Sequence, residues 1–450
     1  FGLAPLALSA DDGILSLANC LESAMQHNRE LLQSRAAIRQ VEGDRVVVRS
    51  RFMPHLELTT QYDAARDQLS GQPRDDQLSS ALRFSQRLFE YGPDFGEEVQ
   101  MRESLRQAIY TYEDQVYEVL SSVWETYHII LLQDRQIAIR RESRENFQAT
   151  YERQSARFER QLATESDVLN AQLNVLNEDL ALNNLERDQF NNKMALLRLI
   201  GQSIGIGVQL QSDQQVQFDI DQDRAVELAH ANSVAIALAS ERLGEQRRAL
   251  AETEWQYSPD LSLNAGVEDA RRNARIQLGK QGATWGVDLS SEYAISDASA
   301  PEMRDQNRWS AQLEARIPIF EGAARSGRQT REGAVLRQRE IALRDLNTSV
   351  ELSVRQAYQS MLEARERQRI QEERVKIARR RLEINQILKE KGQADETLLE
   401  NFRTQFFNEQ DRLFQDQATY IRRIAALRRQ MGDRKSTRLN SSHQIISYAV

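Results

Sequence analysis

Two rhythms of apolar and polar residues take turns along the chain. From Trp309 to Ile317 every second position is apolar (Trp309, Ala311, Leu313, Ala315, Ile317), with Ser310, Gln312, Glu314 and Arg316 between them. That is the period of a strand with one apolar and one polar face. Leu56, Leu58, Thr60 and Tyr62 follow the same rule, as do Leu78, Leu82, Phe84 and Leu88, and Leu261, Leu263, Ala265 and Val267. Elsewhere apolar residues step by three and four: Ile109, Tyr112, Val116, Val119, Val123 and Ile130, and later Leu343, Leu346, Val350, Val354, Ala357 and Met361. Residues 97–200 contain neither Gly nor Pro, and the same holds for 334–391 and 393–431. Such stretches predict very long, uninterrupted helices with coiled-coil-like seams.

The chain repeats itself. HNRELLQSRAAIR (27–39) resembles ANSVAIALASERL (231–243), FMPHLEL (52–58) matches YSPDLSL (257–263), LFE (88–90) matches IFE (319–321), and Ile200-Gly201 matches Met431-Gly432. Each half therefore reads helix, strand pair, very long helix, turn, helix. The first repeat, 11–200, holds a helix, a hairpin at 55–90, a long helix at 96–160 and a helix at 164–200. Residues 201–221 link the halves. The second repeat, 222–432, holds a helix, a hairpin at 260–317, a long helix at 323–391 and a helix at 395–431. A helix of about 65 residues spans roughly 100 Å. The two shorter helices of a half, end to end, match that length. Pro54, Pro93, Pro259, Pro318 and Gly322 mark the joins between strand and helix.

Alternation alone fits both a soluble sheet with one buried face and a barrel with lipid outside and water inside. Two observations favour the barrel. Strands of about 9–11 residues suit a tilted membrane crossing, and no other apolar element is at hand to cover the sheet. Four strands cannot close a pore, since barrels start at about eight, so several chains must contribute. A further alternating run, Trp285, Val287, Leu289, Ser291 and Tyr293, falls inside the second hairpin. It sits in an enlarged external loop or makes a further pairing.

Composition narrows the function. The net charge of -8 gives no sign of a nucleic-acid partner. One cysteine, Cys20, leaves no disulfide framework and no multi-Cys metal site. The five histidines are scattered, and no phosphate loop or nucleophile elbow is present, so neither an enzyme nor a cofactor is expected. Residues 1–10 read as the remnant of a signal peptide. Residues 433–450 break the helical pattern at once and read as a non-native, adapter-derived tail.

The duplicated order, the Asn-centred first helices (Asn28, Asn232), the helix-to-strand prolines (Pro54, Pro259) and the turns LFEYGP (88–93) and IPIFEG (317–322) together resemble the TolC-like outer-membrane efflux channel family. The resemblance covers about residues 15–432. It implies a mainly α fold with membrane β: a long antiparallel α-helical barrel continuous with a trimeric twelve-stranded β-barrel, four strands per chain. It implies a passive exit duct for efflux or type I secretion, set in outer-membrane lipid and extending into the periplasm. A periplasmic adaptor and an inner-membrane transporter would complete the tripartite pump and open the duct at its tip. The tip would be formed by residues 160–172 and 391–403, with Ser166, Asp167, Asp395, Glu396 and Glu400 as gate residues and Leu398 where the family often has an aspartate. An acidic ring there would favour cations. Each of these acids also suits a helix N-cap or first turn. Residues 201–221 would be the equatorial strap. The rival reading is a periplasmic coiled-coil adaptor or scaffold without a pore of its own.

Overall fold

The computed structural model describes residues 14–65, 75–91, 97–202, 209–211, 218–255, 259–269, 271–281, 284–296, 308–317, 319–320, 322–391, 393 and 396–432. The expected signal remnant, the tail after 432, Pro93, Pro318, Asp395 and much of 201–221 lie outside these residues. The elements run β1 (Ile14–Leu15), α1 (Leu17–His27), α2 (Arg29–Ser50), β2 (His55–Ala65), β3 (Asp75–Tyr91), α3 (Glu97–Glu159), α4 (Glu165–Leu199) and β4 (Gln209–Leu210). There follow α5 (Gln222–Asn232), α6 (Val234–Trp255), β5 (Asp260–Glu268), β6 (Arg272–Gln281), β7 (Thr284–Ser296), β8 (Arg308–Arg316), α7 (Ala324–Glu390) and α8 (Glu396–Met431). Among the described residues no helix is long and apolar enough to cross a membrane.

Two units separate. One comprises the described parts of 1–34, 112–234 and 347–450, and the other those of 35–111 and 235–346. The first is helical, and its core shows why α3 needs so many apolar positions. Val119, Val123, Tyr127 and Ile130 pack with Cys20, Ala24, Leu31, Leu196, Leu197 and Ile200. Trp124, Ile129 and Leu132, on other faces of the same helix, pack with Val354, Met361, Tyr420, Ile424 and Met431. α3 is thus buried on two sides, and one apolar stripe could not serve both. Cys20 is fully buried in α1, and burial pushes its thiol up to about 12.

The helix expected before each hairpin is broken. Asn28 leaves helical geometry (φ -62°, ψ 128°) between α1 and α2. Its Oδ1 accepts from the N–H groups of Glu30 (2.9 Å) and Leu31 (3.1 Å), capping α2, while its Nδ2 donates to the Leu199 carbonyl at 2.9 Å. The gain from capping and from an otherwise orphaned helix-end carbonyl outweighs one continuous backbone ladder. Ser233 breaks α5 from α6 in the same extended conformation. A glycine sits against each break. Gly201 (φ +71°) approaches so closely that a Cβ would lie 2.4 Å from the His27 carbonyl oxygen, and at Gly432 (φ +56°) a Cβ would lie 2.9 Å from Cβ of Asn232. Beside these breaks β1 pairs in parallel with β4, and the Tyr127 hydroxyl lies within donating range of the Gln211 carbonyl (2.8 Å) and the Leu15 carbonyl (3.2 Å).

Among the described residues, the second unit carries an antiparallel sheet of six strands in the order β2-β3-β7-β6-β5-β8. This corrects the expected four strands per chain. Residues 260–317 form two hairpins rather than one, and the run from Trp285 to Tyr293 lies within the sheet. β7 pairs with β3 on one side and β6 on the other, and β6 continues onto β5. The strand number stays even, and β8 runs antiparallel to β5.

Candidate functional site

The sheet keeps the alternation that its sequence announces. Leu58↔Leu82, Leu82↔Tyr293, Ile276↔Leu289, Leu263↔Leu278 and Leu263↔Leu313 are directly opposed pairs on one face. A register shift between Arg87 and Phe89 leaves Leu88 out of the pairing and turns Phe89 and Tyr91 to the apolar face, opposite Val287 and Trp285. Simple alternation had assigned Leu88 to that face. The apolar face is not covered: Leu56, Leu58, Tyr62, Val267, Ile276, Ile295, Trp309 (78% exposed) and Leu313 (74% exposed) all stay open.

The opposite face is polar and joined by charge. Arg83 on β3 meets Glu292 on β7 at 3.1 Å. Arg87 meets Asp288 on β7 at 2.9 Å, with Glu90 of its own strand at 3.9 Å. Lys280 stands by register on the apolar face with Ile276 and Leu278, and at the border of β6 and β5 its ammonium, the side chain wholly buried, reaches Asp260 at 3.0 Å. The intruding hairpin is therefore pinned on both flanks.

The strand–helix joins follow local chemistry. α2 unwinds through three i→i+3 bonds at Arg51, Phe52 and Met53, and Pro54, which has no N–H to offer, precedes β2. Pro259 stands directly before β5. Ahead of α7, Gly322 (φ +58°) and Ala323 (φ +59°) are consecutive left-handed residues. They turn the chain immediately before the first residue of α7.

The turn between α3 and α4 lies in the helical unit. Gln161 (φ +58°) bends the chain, and Thr164 caps α4. The Thr164 Oγ1 accepts from the Asp167 N–H at 3.2 Å, and the Asp167 carboxylate accepts from the Thr164 N–H at 2.9 Å and its hydroxyl at 2.7 Å. This is a reciprocal capping box. The bond from the Thr164 backbone, then that from its hydroxyl, and the charge of Arg157 hold the Asp167 carboxyl below its usual range. Ser166 and Asp167 are both exposed. Thr164→Ala is expected to cost about 1 kcal/mol of local stability, speeding amide exchange at 166–168 about fivefold. Because the Asp167 pKa is depressed on folding, its contribution is complete above the ordinary carboxylate range and is lost as pH falls through the lowered value. Protection factors at 166–168, taken relative to the intrinsic exchange rate at each pH, should fall in the wild type on acidification below about pH 4, and somewhat less in Thr164→Ala, which loses the hydroxyl bond but keeps the backbone one.

The other turn residues part company. Glu396 opens α8. Leu398 is exposed. Glu400 turns inward: it accepts from Thr150 of α3 at 2.8 Å and pairs with Arg403 at 2.7 Å, with its side chain 14% exposed. Within the chain, Asp167 is engaged by Thr164 and Glu400 by Thr150 and Arg403. Sequence reasoning missed Thr150, Arg403 and, deeper in the bundle, Arg140, whose guanidinium lies 2.8 Å from Glu178 on α4 and 3.2 Å from Asp411 on α8. Arg403 stands only three residues from Glu400, whereas the partners of Thr150 and Arg140 lie far away in the chain.

Exposed apolar residues recur at helical spacing in the same unit: Leu169, Leu173, Leu176 and Leu180 on α4, and Ile370, Ile377 and Ile384 on α7. Those on α4 form a stripe and those on α7 recur once every seven residues, all without cover in the single chain.

Several solved structures share this fold. The Campylobacter jejuni CmeC outer membrane channel superposes with a TM-score of 0.70 at 14% identity, covering 92% of this chain and 85% of its own. The outer membrane protein VceC from Vibrio cholerae gives 0.67 at 16% identity, covering 92% and 96%. The open state of the Neisseria gonorrhoeae MtrE outer membrane channel gives 0.66 at 12% identity, covering 92% and 88%. No curated protein sequence matches the chain. Residues 20–202 and 228–433 match the family described as outer membrane efflux protein, one segment in each half. The long helices, the two-faced sheet and this match over most of the sequence agree, and the chain belongs to the outer membrane efflux protein family.

Proposed function

We propose that this protein is a trimeric outer-membrane exit duct, a passive pore whose periplasmic tip is opened by an adaptor and an inner-membrane transporter, serving efflux or type I secretion. The observation that carries the reading is the sheet's apolar face, open across all six strands, backed by a face of ion pairs. Lipid outside and water inside would match these two faces. The uncovered stripes on α4 and α7 offer further copies of the chain an apolar seam. A pore-free periplasmic scaffold would leave both features in water. At the tip, Ser166 and Asp167 face solvent, and the charge of Glu400 is balanced by Arg403. Selectivity at the gate is therefore assigned to Asp167, together with Asp395 and Glu396.

The test is the detergent-corrected molar mass of the protein recovered from membranes after export. A trimer that requires detergent is expected. A monomer or dimer soluble without detergent would overturn the duct and restore the scaffold.

A further inference from the structure

We propose that β6 and β7 are wall strands, so that three copies of this chain close an eighteen-stranded barrel rather than a twelve-stranded one. The inference rests on the trimeric duct proposed above. It starts from the position of the hairpin: β7 and β6 lie between β3 and β5, hydrogen-bonded on both sides, and are not appended to an edge. A hairpin serving as an external loop would need no such matching. Here Arg83 and Arg87 of β3 are each met by an acid of β7, and Lys280 of β6 by Asp260 of β5. The apolar face also continues through the insertion: Trp285, Val287 and Tyr293 of β7 oppose Tyr91, Phe89 and Leu82 of β3, and Leu278 and Ile276 of β6 oppose Leu263 and Ala265 of β5.

The two edges then dictate the partner. β2 and β8 are each paired on one side only, and residues 55–62 and 308–316 are exposed throughout. Unpaired backbone cannot remain in hydrocarbon, where every N–H and C=O must be satisfied. β2 leads away from the helix preceding it, and β8 leads back towards the helix that follows. The β8 edge of one copy therefore suits the β2 edge of the next as an antiparallel pair, and a head-to-tail ring closes without a free edge. The occupant of each edge is a second copy of this chain. Barrel diameter grows about linearly with strand number, so the outlet is about half as wide again as a twelve-stranded one.

Electron cryomicroscopy of the full chain in lipid nanodiscs tests this directly. Eighteen strands around a threefold axis are expected. A threefold particle with twelve wall strands and β6–β7 outside would overturn the wide barrel and leave the duct intact. A particle without threefold symmetry would overturn both. A biochemical measurement guards against particles too heterogeneous to count. The double variant R83C/E292C places cysteines on directly opposed residues, close enough to bridge. L58C/L82C, opposed on β2 and β3, is the control that any arrangement of the sheet should bridge. The one native cysteine, Cys20, is buried and does not compete. Mild oxidation of assembled protein in membranes should link both pairs within a chain. Linking of the control pair with R83C/E292C unlinked, or linked between chains, would overturn the proposal. Removing residues 271–296 should give a threefold particle whose barrel is about one third narrower; an unchanged diameter would argue that the hairpin never belonged to the wall.

Discussion

Gly201→Ala should be among the most damaging single-atom-group changes in the helical unit, at about 3 kcal/mol or more. Two costs add. The residue holds φ at +71°, where a side chain costs about 1–2 kcal/mol. Its new Cβ would also stand 2.4 Å from the His27 carbonyl oxygen and 2.7 Å from the His27 carbonyl carbon. These are backbone atoms and cannot swing aside, so α1 must shift, and overpacking of this kind costs about 1–3 kcal/mol. Displacing His27 also strains its neighbour Asn28, whose side chain caps α2 and holds the Leu199 carbonyl. Gly322→Ala is the matched control. Its φ of +58° is similar, but nothing lies within 4 Å of the added Cβ, so only the conformational cost of about 1 kcal/mol remains. Thermal melting of both variants at fixed protein concentration would separate the effects. Equal losses would show that backbone conformation, and not the close approach, decides the position.

Arg140→Met should cost a similar amount, about 3 kcal/mol, for an electrostatic reason. Burial works against the guanidinium charge, but Asp411 and Glu178 outweigh that and hold its pKa up. Removing the cation leaves two carboxylates close together in a partly buried site, and breaking such a group is more costly than never having built it. The triple variant R140M/E178L/D411L should recover most of the loss, although the Gln136 amide would then lose Asp411 as its acceptor. Urea unfolding followed by far-UV circular dichroism would show the difference. A single variant as stable as the wild type would mean that water enters and solvates the acids.

These positions mark where sequence reading reaches its limit. The long helices were legible because Gly and Pro are missing from 97–200, and the strands because a period of two is hard to mistake. Asn28 was legible as a recurring residue but not as a break, since the three-and-four spacing runs through it and the Leu199 carbonyl that rewards the break lies 171 residues on. The bulge at Leu88 escaped notice because alternation holds up to it, and only the partner strand reveals the shift to Phe89. β7 was visible from Trp285 to Tyr293 but lacked a partner, because β6 (RNARIQLGKQ) has few large apolar residues and a glycine. In the turn between α3 and α4, Asp167 was readable as a capping residue, since its partner stands three residues away. Glu400 was not, because Thr150 is 250 residues distant.

The seam between β3 and β7 has a consequence in time. Arg83 and Glu292 are separated by 209 positions. The β2–β3, β5–β6 and β6–β7 hairpins are local and can close as soon as they are made, whereas the β3 edge must wait for nearly half the chain. Closing so long a loop is slow, since its entropy is lost before the pairing returns anything. Through that interval the young chain carries an unpaired, apolar-faced hairpin, the kind of surface that aggregates unless a holding partner shields it. Arg83 and Arg87 on the waiting edge work against premature self-association, because two copies meeting there would bring like charges together. The charges that later fasten β3 to β7 thus also guard that edge while the sheet is unfinished.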